Sequence, residues 1–292
     1  MNYRITHRTT YAYSEPVAVS HHAARLRPRD TDSQKCREFR ITFDPEPDLI
    51  TTHTDSFGNE VRSFSIQKLH ARFEVVSRSL VSIAPVLQPD PAQTPPWEQV
   101  AALFRDPVAV DLLDPCQFVF RSPLLLHEMP LREFAMPSFT KNRPVLAAVA
   151  DLSQRIHREF TFDPKATTVS TPLDEVLENK RGVCQDFAHL AIASLRAMGL
   201  PARYVSGYLR TRPPPGKARL VGVDASHAWF ACFVPGFGWV DLDPTNNCFP
   251  SLDHITVALG RDFSDVSPVR GIITGGGEHN VTVGVDVEPL EG

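Results

Sequence analysis

The chain contains 292 residues, of which 42% are hydrophobic and 22% are charged, and its net charge is −4. This is an ordinary globular composition with room for about two domains, and it excludes a collagen-like or largely disordered chain. No run approaches the roughly 18 consecutive apolar residues of a membrane-spanning helix. Residues 1–20 carry Arg4, His7 and Arg8 where a signal peptide needs an apolar run. We therefore predict a cytoplasmic protein that does not interact with membranes.

The basic residues do not form the stripe with which nucleic-acid-binding proteins displace counterions from phosphates. The densest basic group, Arg25, Arg27 and Arg29, is short and is typical of a solvated strand edge. We therefore expect no nucleic-acid partner. The sequence leaves the oligomeric state open.

Five cysteines are spread widely along the chain: Cys36, Cys116, Cys184, Cys232 and Cys248. Their number is odd and no two form a C-x-x-C pair, which excludes a disulfide framework and a cysteine-type zinc site. Reduced thiols in the cytosol fit this pattern best. Local context must then decide whether one of them is reactive.

Residues 1–84 are predicted to form a β-rich domain. Apolar residues alternate within 3–5, 39–43 and 64–66, and no helical stripe interrupts them. This pattern favours a β-sandwich or a curled sheet. Residues 85–96 contain five prolines, which remove strand hydrogen-bond donors, and we predict a linker there.

Residues 97–292 are predicted to form a second, α+β domain. Apolar periodicity indicates helices at about 144–160, capped by Asn142, and at about 171–182 and 183–199. The third helix has the broad apolar face of a buried central helix. After residue 203 the pattern returns to strands, and helices followed by strands give the α+β class.

Cys184 lies at the start of the third predicted helix, as its second residue. The free N–H groups of a helix N-terminus carry partial positive charge, which lowers the pKa of a thiol and can hold an oxyanion. Gly182, just before it, would let a substrate backbone approach closely. An isolated cysteine is more often an inert core residue, so the assignment depends on a second cluster of residues.

The second cluster lies in a predicted hairpin within residues 224–247. If Val234 pairs with Gly238, the apolar residues of both strands share one face, and His227 and Asp243 become diagonal neighbours on the other. We predict this register, because a slip of one residue would put these two side chains on opposite faces. We take their face to be the side away from the core. A carboxylate there can accept from one imidazole nitrogen while the other nitrogen faces a nucleophile.

Three segments resemble the core motifs of the bacterial transglutaminase-like superfamily: RGVCQDFAHL (181–190), SHAWF (226–230) and GWVDLDPTNN (238–247). The strand-rich N-terminal region and the tail RGIITGGGE (270–278) resemble its two-domain bacterial subgroup. This resemblance implies an N-terminal β-sandwich-like domain followed by a papain-like core, in which helices pack on an antiparallel sheet.

The resemblance also implies roles for single residues: Cys184 as nucleophile, His227 as base and Asp243 as the group that orients His227. Animal transglutaminases use the indole of an upstream tryptophan in the oxyanion hole. Here only Trp97 precedes Cys184, beside the predicted linker, so the resemblance supplies no such donor.

These residues predict a cysteine-dependent enzyme that transfers an acyl group through a thioester. We expect a peptide or side-chain amide as substrate, water as the preferred acceptor, and no metal or organic cofactor. Two alternatives stay open: protein-glutamine amine transfer, and a catalytically silent protein-interaction module. We also predict that residues 211–226 form a mobile cover over the site.

Overall fold

The computed structural model describes residues 1–107, 109–125, 129–168, 171–211 and 225–290. Within these ranges the strands are β1 (Asn2–Ala24), β2 (Gln34–Asp44), β3 (Leu49–Thr54), β4 (Glu60–Ile66), β5 (His70–Ile83), β6 (Thr161–Phe162), β7 (Arg181–Gly182), β8 (Ala202–Leu209), β9 (Ala225–Val234), β10 (Gly238–Leu242), β11 (His254–Gly260), β12 (Val269–Gly275) and β13 (His279–Leu290). The α-helices are α1 (Trp97–Arg105), α2 (Leu113–Cys116), α3 (Met129–Ala135), α4 (Val145–Glu159), α5 (Leu173–Asn179), α6 (Cys184–Ala197) and α7 (Phe263–Val266). The predicted cover at 211–226 falls largely on 212–224, outside the described residues.

The long strand β1 organises an antiparallel sheet of seven strands. Its first half pairs with β5 on one side and β13 on the other, and its second half pairs with β4 and β12. Register shifts interrupt these ladders between residues 12 and 19, and such irregularities bend a strand. The predicted β-rich domain therefore takes the form of one curled sheet.

The C-terminal strands β12 and β13 belong to this first sheet. We predicted one domain for residues 97–292, whereas the strand pairing places residues 269–290 beside β1 of the first sheet. The valines of β13 explain the pairing, because Val285 and Val287 are buried in one cluster with Tyr3 and Ile5. A strand pattern in a sequence does not reveal such a distant partner.

The second sheet has four antiparallel strands in the order β10-β9-β8-β11, and α6 packs on one of its faces. The apolar residues of β9 and β10 join the core around α6, as predicted. This arrangement of helices on an antiparallel sheet confirms the predicted α+β class. The opposite face is not a non-core face, contrary to our expectation. On that face Val205, Trp229 and Leu259 are buried in a cluster of their own. Elsewhere in the second sheet, Tyr208, Ile255 and Val257 pack against the curled sheet.

Helix α4 begins one residue after Pro144, and Asn142 is not its cap. Asn142 has a φ of 60° and precedes the helix. The N–H of Val145 instead donates to the carbonyl of Pro95 (2.8 Å), and the N–H of Leu146 donates to Thr94 Oγ1 (3.1 Å). The end of the proline-rich segment thus satisfies two helix N–H groups that lack intrahelical partners.

A buried histidine between the two sheets should make the protein less stable in mild acid. His7 Nδ1 lies 3.0 Å from the Tyr208 hydroxyl and Nε2 lies 2.8 Å from Thr9 Oγ1. Burial lowers the pKa of His7 to about 4, against about 6.5 in an unfolded chain. The contribution of neutral His7 to the free energy of unfolding is therefore fully present above about pH 6.5. It is lost as the pH falls toward 4, by up to about 3 kcal/mol.

The substitution His7→Gln should flatten the decrease in the free energy of unfolding over this pH range. Urea unfolding of both proteins at several pH values measures the difference. An identical pH dependence in the two proteins would show that His7 does not titrate as its burial implies.

Candidate active site

Cys184 is the first residue of α6, one position earlier in the helix than predicted, and it is half-buried. Asp186 holds the turn before it: Asp186 Oδ2 accepts from the Val183 N–H (2.8 Å) and from Thr167 Oγ1 (2.6 Å). The N–H groups of the first turn of α6 have no intrahelical partners. They surround the thiol with partial positive charge and are available to an oxyanion.

Gly182 makes room for Asp186. A Cβ atom at this position would lie 2.7 Å from Asp186 Oδ2, so any side chain would displace the carboxylate that fixes the turn. The approach of a substrate backbone to Gly182 stays a prediction.

The hairpin formed by β9 and β10 has the predicted register. Gly238 pairs with Val234 and Leu242 pairs with Phe230. The three-residue turn between the strands is followed by Gly238 and contains Gly236, and both have positive φ, 80° and 85°, a backbone region that favours glycine.

This register brings the two predicted side chains of the hairpin together. His227 Nε2 lies 2.7 Å from Asp243 Oδ2. Both side chains are buried, with 6% and 0% of their surface exposed. The other imidazole nitrogen, Nδ1, is not engaged by Asp243, and Cys184 lies near enough to His227 to help raise the pKa of this imidazole. The three predicted site residues therefore form one connected group.

Asp243 has more hydrogen-bond partners than we predicted from the sequence. Its Oδ1 accepts from the backbone N–H groups of Thr245 (2.9 Å) and Asn246 (3.1 Å), the local pattern of an Asx turn. Its Oδ2 accepts from the Asn246 side-chain amide (2.6 Å) and faces His254 Nε2 (3.0 Å) as well as His227. Asn246 could have been suspected from its place in the last motif. No pattern in the sequence pointed to His254.

These contacts shift the pKa values of His227 and Asp243 in opposite directions. Burial alone would lower the pKa of His227, but its contacts with Asp243 and Cys184 raise it to about 9. Burial would raise the pKa of Asp243, but the donors around it hold that pKa well below its usual value. At neutral pH this favours an imidazolium beside the Asp243 carboxylate.

The buried indole of Trp229 lies beside His227. The rings of Trp229 and His227 are 6.0 Å apart and inclined by 33°. The Trp229 Nε1–H donates to Asp241 Oδ2 (2.9 Å). Asp241, which the hairpin places on the same face as Asp243, therefore fixes the indole and does not contact His227.

The surroundings of Trp97 and of three other cysteines differ from those of Cys184. The indole N–H of Trp97 donates to the carbonyl of Thr140 (3.0 Å), so this donor is engaged at the start of α1. Burial raises the pKa of Cys232 to about 12 and that of Cys248 to about 11, and it also raises the pKa of Cys36. These three thiols have the opposite of the environment that activates a nucleophile.

A metal ion could be held by one group of side chains in the described part of the chain. The ligand atoms of His227, Asp243 and His254 all lie within 4.8 Å of one another. Their contacts of 2.7 and 3.0 Å are also hydrogen-bond distances, and the charge of Asp243 is satisfied by these donors. The absence of a metal cofactor stays a prediction.

Two family descriptions match the chain. The bacterial transglutaminase-like N-terminal region matches residues 3–82, and the transglutaminase-like superfamily matches residues 133–244. The second range contains Cys184, His227 and Asp243 and ends before His254.

The relatives cover the chain to different extents. An uncharacterised protein of Mycobacterium tuberculosis is 42% identical over 300 residues, which cover 99% of this chain and 93% of that protein. A protein-glutamine gamma-glutamyltransferase of Pseudomonas aeruginosa is 36% identical over 108 residues, 36% of this chain and 16% of that protein. A crystal structure from Cytophaga hutchinsonii, described as a candidate cysteine protease, superposes with a TM-score of 0.77 at 23% identity over 100% of this chain and 91% of that one. The last likeness concerns the fold, and it agrees with the predicted papain-like core.

None of the described helices is both long enough and apolar enough to cross a bilayer.

Proposed function

We propose that this chain, which belongs to the transglutaminase-like superfamily, is a cysteine-dependent enzyme that transfers the acyl group of a peptide or side-chain amide, with water as the preferred acceptor. The observation that carries the proposal is the 2.7 Å contact between His227 Nε2 and buried Asp243, with Cys184 at the start of α6 near the same imidazole. A nucleophile, a base and a group that orients the base are the parts that covalent catalysis of acyl transfer requires.

The proposed reaction has two stages. The Cys184 thiolate attacks the amide carbonyl, and the N–H groups at the start of α6 stabilise the resulting oxyanion. The C–N bond then breaks, His227 donates its proton to the leaving amine, and a thioester to Cys184 remains. His227 next takes a proton from water, the hydroxide attacks the thioester, and the carboxylic acid product leaves as the thiol is regenerated.

Two features favour water over an amine as acceptor. The upstream indole of Trp97 is committed to Thr140, so it is not the oxyanion donor of the animal cross-linking enzymes. Trp229 is fully buried, and Trp239 packs against Phe118 and the Arg203 guanidinium. Among the described residues, these rings therefore do not form an open aromatic channel that could guide an alkyl amine and exclude water.

Amine transfer is the second candidate, because a relative of the catalytic region is a protein-glutamine gamma-glutamyltransferase. The two candidates share the thioester and differ only in what resolves it. With a glutamine-containing peptide or an activated amide donor, the rate of acid release should change by less than about twofold when millimolar primary amine is added.

Product analysis by mass spectrometry distinguishes these outcomes. Formation of mostly the amine adduct, with acid release suppressed in proportion, would make the chain a transferase. If neither product forms with any donor, and Cys184 acquires no acyl group, the interaction module becomes the better reading. A cytoplasmic location stays a prediction, which cell fractionation would test.

A further inference from the structure

We propose that His254 is a positioning residue of this site: it donates a hydrogen bond that holds the Asp243 carboxylate in line with His227. The inference rests on the proposed function, because it concerns the same site, but its test does not need a substrate. His254 begins β11, ten residues beyond the end of the region that matches the superfamily, 133–244. Its polar contact with the site is to Asp243 at 3.0 Å, and its ring lies 6.0 Å from the His227 ring, so it acts on the base through these neighbours.

The geometry assigns His254 its tautomer. The backbone N–H of Ser251 approaches His254 Nδ1 at 3.4 Å, so Nδ1 is the acceptor. The remaining nitrogen, Nε2, then carries the proton, and it lies 3.0 Å from Asp243 Oδ2. The His254 ring also meets the Trp229 ring edge-on, with centroids 5.3 Å apart and an interplanar angle of 85°. The imidazole is thus fixed both by polar contacts and by packing.

Asp243 Oδ2 therefore lies between two imidazoles. His227 approaches it at 2.7 Å and His254 at 3.0 Å, and only 6% of either histidine side chain is exposed. A buried carboxylate oxygen that loses one of its donors is less well satisfied away from water. It can compensate by rotating or by admitting water, and either change moves it away from its contact with His227. His254 prevents this movement.

The N-terminal sheet holds the strand that carries His254. β11 pairs with β8 along one edge, and side-chain amides of the curled sheet bind its other edge. Gln34 accepts from the Thr256 N–H (2.9 Å) and donates to the Thr256 carbonyl (2.8 Å). Asn59 accepts from the Leu259 N–H (2.9 Å) and donates to the Leu259 carbonyl (2.8 Å). Each amide replaces a strand neighbour, and through β11 the N-terminal sheet contributes to the geometry at Asp243.

The test uses the rate at which iodoacetamide alkylates Cys184 at about pH 6, because this rate follows the thiolate–imidazolium pair and needs no substrate. His254→Leu keeps a similar volume and removes the donor. We expect it to slow alkylation by roughly 10- to 100-fold, the usual effect of removing a group that orients a functional ligand. His254→Gln places an amide nitrogen near the Nε2 position and should recover at least about tenfold of this loss, whereas the shorter His254→Asn should not.

Non-additivity separates positioning from a general structural role. In an Asp243→Asn background, His254→Leu should change the alkylation rate by less than about threefold, because the group through which it acts is already altered. The same loss in both backgrounds would overturn the proposal, as would a folded His254→Leu protein that reacts at the wild-type rate. Equal rates for the Gln and Asn variants would also overturn it, and this comparison remains available if the Leu variant does not fold.

These outcomes are distinct from failure of the proposed function. A protein that turns over no amide, yet whose Cys184 reactivity depends on His254 as described, would contradict the function and leave the positioning role intact. Full amide turnover in a folded His254→Leu protein would contradict the positioning role and leave the proposed function intact.

Discussion

Replacing Cys184 with alanine is expected to reduce amide turnover by roughly 10⁵- to 10⁶-fold, the scale observed when a covalent nucleophile is removed from a hydrolase. The remaining groups, His227 and the N–H donors of α6, can still orient a substrate but cannot form the thioester. Cys184 is half-buried and begins a helix, and alanine is an excellent helix former, so the fold should be retained. The measurement is kcat/KM with an activated amide donor, together with thermal unfolding.

Cys36→Ala is the matched control. Cys36 lies on β2 in the curled sheet, and its thiol contacts the Glu38 carbonyl. Its loss should leave kcat/KM within about twofold, as expected for a site without a catalytic contact. Residual turnover in Cys184→Ala above a few per cent of wild type would exclude Cys184 as the nucleophile.

Replacing Asp243 with asparagine should lower kcat/KM by roughly 10³- to 10⁴-fold, as loss of the orienting carboxylate does in other triads. It should also change the pH profile. Against the effect of burial, the contacts with Asp243 and Cys184 raise the pKa of His227 to about 9. Removing the negative charge lowers this pKa toward the ordinary histidine value of about 6.5. The upper limb of the kcat/KM profile, which reports deprotonation of the imidazolium, should therefore move to lower pH.

Asp241→Asn is the control for this substitution. Asp241 lies on the same face of β10 and is half-buried, but it binds the Trp229 indole N–H. An asparagine there can still accept that hydrogen bond, so the upper limb should stay in place. An upper limb that is unmoved in Asp243→Asn, or that moves equally in both variants, would contradict the assignment of Asp243.

The pairing of His227 with Asp243 could be predicted from the sequence because burial restricts the hairpin to one register. Apolar residues alternate along β9 and β10, and only the pairing of Val234 with Gly238 places both sets on one face. The position of Cys184 could be predicted to within one residue, because the apolar periodicity of α6 begins there and glycine and proline end it. Both inferences use local patterns, which a single sequence records well.

The features that were missed depend on contacts between distant parts of the chain. Val205, Trp229 and Leu259 are buried on the face of the second sheet that we had taken to be outside the core, and the pairing of β1 with β12 and β13 places residues 2–24 beside residues 269–290. His254 is ordinary in its local sequence. It becomes part of the site only because β11 runs beside β8 and because Gln34 and Asn59 bind its free edge.

The most direct test of the central claim, that Cys184 is the nucleophile of the proposed site, is site-resolved alkylation of the native protein. Iodoacetamide at about pH 6, followed by peptide mapping, gives a separate rate for each of the five cysteines. The structure predicts that Cys184 reacts at least about tenfold faster than Cys36 or Cys248 at this pH, since burial raises the pKa of both other thiols. Faster labelling of Cys36 or Cys248, or equal labelling of all three thiols, would contradict it.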